Sequence, residues 1–320
     1  MASNPSWCKI DQSGVLRFDG PDTQAFLQGQ LTNNVNALTT SRSHYTGYCS
    51  PKGRLLASAL IWRQGEAYHL LLPRALCEPL RKRLSMYILR AKVKAADLSD
   101  TRTLFGVAGA GADALIAALV GAAPAAAHEV TCAPDAGITV IRLPVQRYLI
   151  VAAAADAGRV EALLTAAASA SPTTLWDAWD IEAGIPVVLP ATQEQFVPQT
   201  VNFDLIGAVS FDKGCYPGQE IVARTHYLGR VKQRMVRARL VPGSANSAPA
   251  PGDKLYTAAF GDQASGMIVA AVAAGDACDV LAVVPTALTA PTGATDSASV
   301  HWLSPTGPAL EILPLPYPVE

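Results

Sequence analysis

Two successive blocks of the chain obey the same order, a set of alternating apolar runs and then one stretch of helical period. That order leaves few folds open. In the first block GVLRFDG (residues 14–20) alternates and ends in a turn, and Pro21 is placed to open a short helix carrying Phe26 and Leu27 inward. GRLLASALIWRQGEAYHLLLP (53–73) reads as two strands about a Gln64–Gly65 turn, followed by a helix from about Arg74 to Tyr87 with Leu76, Leu80, Leu84 and Ile88 at helical spacing. KVKAADL (92–98) is a further strand. The second block repeats this loosely, with strands near 103–108, 138–143 and 147–153 and helices near 113–120 and 156–168, the helices capped by Asp113 and Asp156. Strands in groups, each group followed by a helix, predict α+β lobes built on antiparallel sheets.

At 320 residues and 50% hydrophobic composition the chain exceeds what one core usually serves. SPTTLWDAWDIEAGIP (171–186) predicts a helix that starts after Pro172 and is stopped by Gly184 and Pro186. Residues 240–320 are rich in Pro, Gly, Ala, Val and Thr, with short strand patterns and no helical period, which predicts a small C-terminal β-barrel or sandwich. The expected division is 1–229 and 230–320. The most apolar window, VAGAGADALIAALVGAAPAAA (107–127), is interrupted by Asp113 and Pro124 and reads as a soluble helix, not a membrane span. The N-terminus MASNPSWCKIDQSG lacks the basic start and apolar run of a secretory signal. A formal net charge of −1 argues against a general nucleic-acid or membrane-surface binder, leaving only a local patch open. The six cysteines lie far apart with no CxxC and no Cys/His pair at ligand spacing, so no metal site is expected and the thiols read as free in a reducing cytosol.

One of them sits apart from the rest. FDKGCYPGQEIVARTHYLGRVKQRM (211–235) places Cys215 between Gly214 and Tyr216, two residues after Lys213. Tyr216-Pro217-Gly218-Gln219 fits a type II turn, with Pro fixing φ at the second position and Gly supplying positive φ at the third. QEIVARTHYL then runs as a helix ended by Gly229. A thiol before a helix N-terminus and beside a lysine is expected to have a lowered pKa. Two readings stand side by side at this point, a small residue filling a gap and a reactive thiol. Nothing designates His226 or His44 as the base of a cysteine protease. Arg224, Arg230, Lys232, Arg234, Arg237 and Arg239 follow with no acidic residue among them, so part of the run could face a groove and attract an anion.

KGCYPGQE with VARTHYLGRVKQR resembles the signature of the YgfZ family, folate-binding proteins related to the T-protein (aminomethyltransferase) of the glycine cleavage system. FLQGQLTNNV resembles that family's N-terminal helix and turn, SPKGRLLA its next strand entry, and WDIEAGIPVVLPATQEQFVPQTVNFDLIGAVSF the approach to the signature. The resemblance spans residues 15 to about 240. It implies a T-protein-like ring of antiparallel-sheet lobes with ferredoxin-like character, plus a C-terminal β-barrel, around a tetrahydrofolate site.

For the chemistry, the resemblance implies tetrahydrofolate or a one-carbon derivative as cofactor. Glu182, in IEAG, matches the pterin-binding glutamate of the T-protein relatives, since a carboxylate can accept both the amino group and the ring N–H of a pterin edge. Arg224 or Arg230 would suit the carboxylates of the folate tail. Tyr45, Tyr48, Trp176, Trp179 and Tyr227 are candidates for the ring faces, Tyr227 lying within the signature. Cys215 would be the reactive or cluster-touching residue, tuned by Lys213. In T-proteins the strand matching GRLLASALIWR carries two acidic residues, one of which positions the reacting folate nitrogen. Ala57 and Ser58 stand there in this chain, so the electrostatic part of the transfer is expected to be missing. The leading expectation is a folate-binding accessory protein that supports synthesis or repair of iron–sulfur enzymes, with folate and those enzymes or their assembly factors as partners, and that reaches tRNA modification through them. The alternatives are an active folate-dependent aminomethyltransferase, a tRNA-binding module using the 224–239 cations, and a structural scaffold.

Overall fold

The computed structural model describes residues 5–133, 137–243, 248–289 and 299–319. The first four residues of the N-terminal stretch read above lie outside them. Contacts divide the chain into two units, one running to Thr46 and resuming over Ala59–Trp176, the other taking Gly47–Ser58 and everything from Asp177 on.

The elements of the first part of the chain are β1 (Ser6–Lys9), β2 (Ser13–Asp19), α1 (Thr23–Gln28), β3 (Ser43–Cys49), β4 (Leu55–Gln64), β5 (Ala67–Pro73), α2 (Arg74–Ile88) and β6 (Lys94–Asp97). Then come β7 (Arg102–Ala108), α3 (Ala112–Val120), β8 (Val130–Ala133), β9 (Ile138–Leu143), β10 (Arg147–Ala153), α4 (Ala154–Ala167), β11 (Ser169–Ala170) and α5 (Thr174–Glu182). They form two sheets, one of order β3-β4-β5-β2-β6 and one of order β11-β1-β7-β10-β9-β8. Each expected strand-then-helix block is therefore one sheet with its own helices; β1–β7, β7–β10, β10–β9, β9–β8, β2–β5, β2–β6 and β4–β5 pair antiparallel, and the short β11 lies parallel to β1. The helical spacing in α2 does bury Leu76, Leu80 and Leu84. In the second sheet Phe105, Val107, Val140, Tyr148 and Ile150 meet Leu115, Ile116 and Leu119 of α3 and Val160 and Leu164 of α4. In α1 Leu27 is fully buried while Phe26 is half-buried.

Two expected caps are corrected. The residues preceding α3 and α4 are Gly111, at φ 85°, and Ala153, while Asp113 and Asp156 fall inside the first turns. There they complement the helix dipole, and Asp113 finds a better partner than a backbone amide: the Tyr148 hydroxyl donates to it at 2.8 Å.

The second unit continues with α6 (Gln219–Tyr227), β12 (Gln233–Leu240), β13 (Lys254–Thr257), β14 (Ala264–Ala274), β15 (Ala277–Pro285), β16 (Val300–Trp302) and β17 (Leu310–Leu313). The sheet order is β16-β13-β14-β15-β12-β17, and a bridge between His301 and Ala309 ties β16 to the approach to β17. The six strands thus close on themselves, which removes the exposed edges an open sheet would leave. Val236, Leu255, Ile268, Val280, Ala282 and Trp302 fill the interior. The Trp302 indole N–H, inside an apolar core, donates to Asp253 at 2.8 Å. Among the described residues no helix is long and apolar enough to cross a membrane.

Candidate functional site

Gly218 has φ 79° and ψ 4°, and the Gln219 amide donates to the Tyr216 carbonyl at 3.2 Å, so the turn expected from Tyr-Pro-Gly-Gln is a type II turn opening directly into α6. Its surroundings explain why no other residue fits. A Cβ on Gly218 would stand 2.4 Å from the Ser50 carbonyl oxygen and 2.6 Å from the Cα of Gly53. Ser50 and Gly53 belong to the turn between β3 and β4, closed by the Gly53 amide donating to Ser50 at 2.9 Å and the Ser50 amide donating to Arg54 at 2.8 Å. The two glycine turns, SPKGR and YPGQE, therefore lie backbone against backbone. Sequence inspection found both motifs but carried no sign that they meet.

Lys213 and Tyr216 are buried and Cys215 between them is exposed. The Lys213 Nζ lies over the Tyr216 ring, 5.0 Å from its centroid. Burial pushes the Lys213 ammonium down to about 8, with the Cys215 sulfur acting the other way. Burial also raises the Tyr216 hydroxyl, with Cys49 adding to the shift. Cys49 itself is buried and pushed up to about 12. The geometric contact of Lys213 is with Tyr216, which sequence reading did not single out as a site residue. Among the described residues no group of three His, Cys, Asp or Glu side chains gathers at metal-binding distance.

The remaining signature residues lie along α6 and the segment after it. His226 stacks on Phe211 with centroids 3.7 Å apart and planes at 11°, and Tyr227 meets His226 edge-on at 4.8 Å. Tyr227, Arg224 and Arg230 are exposed. The cation run divides in two. Arg234 is buried in a two-point ion pair with Asp204 at 2.7 and 3.0 Å and also donates to the Gln199 carbonyl, and Arg239 pairs with Asp279 at 2.9 Å. These two have acidic partners, which leaves Arg224, Arg230 and Lys232 exposed and Arg237 half-buried. The acidic partners were invisible because they come from distant segments.

Glu182 ends α5 and is exposed, and among the described residues its carboxylate has no ion-pair or hydrogen-bond partner. Two residues on, the Tyr317 hydroxyl donates to the Gly184 carbonyl at 2.7 Å, pinning the helix end to the C-terminal segment. Among the described residues no hydrogen bond or ion pair joins Glu182 to Arg224, Arg230 or Tyr227. Of the other aromatic candidates, Tyr45, Tyr48 and Trp176 are buried; Tyr45 packs edge-on against His128 at 5.0 Å and Trp176 lies under the Arg147 guanidinium at 4.8 Å. Ala57 and Ser58 are both buried, and the Val188 amide donates to the Ser58 hydroxyl at 2.8 Å. The Ser58 side chain is thus committed to the backbone of Val188.

Comparison with known proteins places these features in a family. The GCVT N-terminal domain profile matches residues 6–133. The tRNA-modifying protein YgfZ of Yersinia enterocolitica is 33% identical over 246 residues, covering 77% of this chain and 73% of that protein. The protein of the same name from Escherichia coli strain SE11 is 31% identical over 313 residues, covering 97% and 93%. Among solved structures, the glycine cleavage system aminomethyltransferase T of Bartonella henselae superposes with a TM-score of 0.77 at 15% identity, over 98% of this chain and 86% of that one. At that identity the likeness establishes the fold, an α+β T-protein fold.

Proposed function

We propose, because the chain belongs to the YgfZ family, that it is a tetrahydrofolate-binding accessory protein which supports iron–sulfur enzymes in the cytoplasm and through them tRNA modification. The observation that carries this reading is the signature loop itself. It holds one exposed thiol, Cys215, beside a buried lysine, on a turn locked by the contact of Gly218 with Gly53. A reactive group on a rigid support is what a site needs if its geometry is to be kept without a bound partner.

The residues present suit a folate. Glu182 offers an uncommitted carboxylate at a helix end, able to accept two pterin N–H groups. Arg224 and Arg230 offer exposed guanidinium groups for the tail, and Tyr227 an exposed ring. Bound folate would supply a one-carbon unit or its acceptor. The chain's own part is to orient the pterin through Glu182 and to present the Cys215 sulfur. The commitment of Ser58 to the Val188 amide, with Ala57 beside it, favours an accessory over a transferase, since no carboxylate stands at that strand position.

The deciding experiment measures three properties of Cys215→Ala: stability, tetrahydrofolate affinity by calorimetry, and restoration of a [4Fe–4S] client enzyme in cells lacking the native protein. Intact stability and folate binding with lost client activity is the expected result. A variant that fully restores the client sinks the role of the thiol. Calorimetry of the unaltered protein with tetrahydrofolate and its methylene and formyl forms tests the folate half separately, and absence of binding to all three overturns it.

A further inference from the structure

We propose that the turn after α2, residues 85–94, is a docking surface for an anionic phospholipid membrane. On it Met86, Tyr87 and Leu89 enter the headgroup layer, and Arg90, Lys92 and Lys94 meet the lipid phosphates. The surface lies apart from the residues assigned to folate and does not depend on that assignment.

The stretch reads SMYILRAKVK, large apolar residues interleaved with cations. Between Glu78 and Asp97 the chain carries six cations and no acid, in a protein whose formal net charge is −1. The helical period of α2 sends Leu76, Leu80 and Leu84 into the core. Past Leu84 the large apolar side chains face water: Met86 is 66% exposed, Tyr87 47% and Leu89 87%. A lone exposed leucine says nothing, but three such side chains within one turn of chain form a patch.

Leu89 is the sharper sign. The Ala91 amide donates to the Ile88 carbonyl at 2.8 Å, closing a turn in which Leu89 has φ 47° and ψ −105°. That is the place glycine takes in a type II′ turn, and a side chain there is strained. Burial does not offset the strain, since most of the leucine stays in water. A side chain held outward at a cost points to something outside the chain that it meets.

Charge selects the occupant. Arg90, Lys92 and Lys94 are exposed, and among the described residues none of the three is in an ion pair. The acids around them are engaged. Asp22 accepts the Lys92 amide at 2.7 Å, Asp19, opposite Lys94 in the sheet, pairs with Arg17 at 3.3 Å, and Glu78 pairs with Arg81 at 2.8 Å and Lys82 at 3.3 Å. The turn itself stays positive and calls for an anionic partner. A nucleic acid would use the cations and the Tyr87 ring but leave Met86 and Leu89 in water. A layer of anionic headgroups over acyl chains takes all of them: phosphates for the cations, hydrocarbon for Met86 and Leu89, and the boundary between the two for the amphipathic Tyr87. Binding of this kind lies on the membrane and needs no helix that crosses it.

The test mixes the full chain with vesicles of phosphatidylcholine alone or with about 30% phosphatidylserine and separates bound protein by flotation. The expected result is flotation with the anionic vesicles and not with the neutral ones, weakening as salt is raised. Leu89→Gly separates binding from folding. It relieves the turn, so the urea midpoint should hold or rise, yet partition into anionic vesicles should fall about tenfold. Arg90→Gln combined with Lys92→Gln should also lose about tenfold or more, at an unchanged urea midpoint. No flotation with the anionic vesicles overturns the proposal, and so does a Leu89→Gly protein that floats as well as the parent. A single-stranded RNA oligonucleotide supplies the remaining arm. If the double cation variant loses both RNA and vesicle binding while Leu89→Gly keeps both, the turn is a phosphate-binding surface for nucleic acid and the membrane reading is rejected.

Discussion

Gly218 and Gly53 meet with no room for a side chain between them: a Cβ on Gly218 would stand 2.6 Å from both the Cα and the amide nitrogen of Gly53. Both have positive φ, 79° and 68°. Each glycine is thus required twice, once for its own backbone conformation and once for the approach of the other turn.

The first prediction concerns that contact. Gly218→Ala should cost about 2–4 kcal/mol, combining left-handed strain with the need to displace backbone. Gly214→Ala in the same loop, where a Cβ meets nothing, should fall within about 0.5 kcal/mol of the parent. Urea midpoints of the two variants check this, and equal stabilities would show that the turns do not support each other.

Folate affinity should depend on the charge of Glu182. Glu182→Gln keeps the shape but replaces a charged acceptor facing two donors. The expected loss is about 1.5–3 kcal/mol, roughly ten- to hundred-fold in Kd, with an unchanged melting temperature because the carboxylate is exposed and uncommitted. Calorimetry against tetrahydrofolate decides it, and equal affinity removes Glu182 from the site.

Cys215 should be the fastest of the six thiols to alkylate. The other five are buried or half-buried, and burial pushes Cys49 up to about 12 and Cys77 to about 11, leaving little thiolate at neutral pH. Iodoacetamide labelling under native conditions, read by mass spectrometry, should find Cys215 modified before any other. Labelling of Cys132 first, the half-buried thiol, would mean that access alone fails to set the order.

Acid should destabilise the protein below about pH 6.5, before carboxylates titrate. His69, 5% exposed and stacked on Trp62 at 5.2 Å, is held down to about 4 by burial and then by Arg17 and Arg102. His128 is likewise held down to about 4, chiefly by burial. Because these folded values lie below the unfolded ones, the unfolded chain binds more protons between about pH 4 and 6.5, and stability falls as pH drops through that window. For His69 the loss should be on the order of 2–3 kcal/mol. His69→Phe should flatten the pH dependence of the urea midpoint there, and an unchanged slope would exclude His69 as its source.

The Arg234–Asp204 pair should be costly to break and cheap to replace. Asp204→Asn leaves a buried guanidinium without its counter-charge and should cost about 3–5 kcal/mol, whereas replacing both partners by apolar residues of similar volume should come close to neutral. Thermal unfolding of the single and double variants measures the difference.

Much of the fold was legible in the residues because its rules are local. Alternation and helical period located the sheets and their helices, as with Leu76, Leu80 and Leu84 on one face of α2. Tyr216-Pro217-Gly218-Gln219 specified its own turn type, since proline and glycine restrict φ without help from neighbours. The signature also marked Cys215 as apart from the other thiols. What local rules could not supply is which distant segments share a surface. The seat of Gly218 on the Ser50–Gly53 turn and the claim of Asp204 on Arg234 join residues separated by about thirty to more than a hundred and sixty positions. Burial and charge pairing belong to the packed chain. A lysine, a tyrosine or an arginine therefore reads the same in sequence whether it ends in water or in the core, and only the tertiary structure assigns it to one or the other.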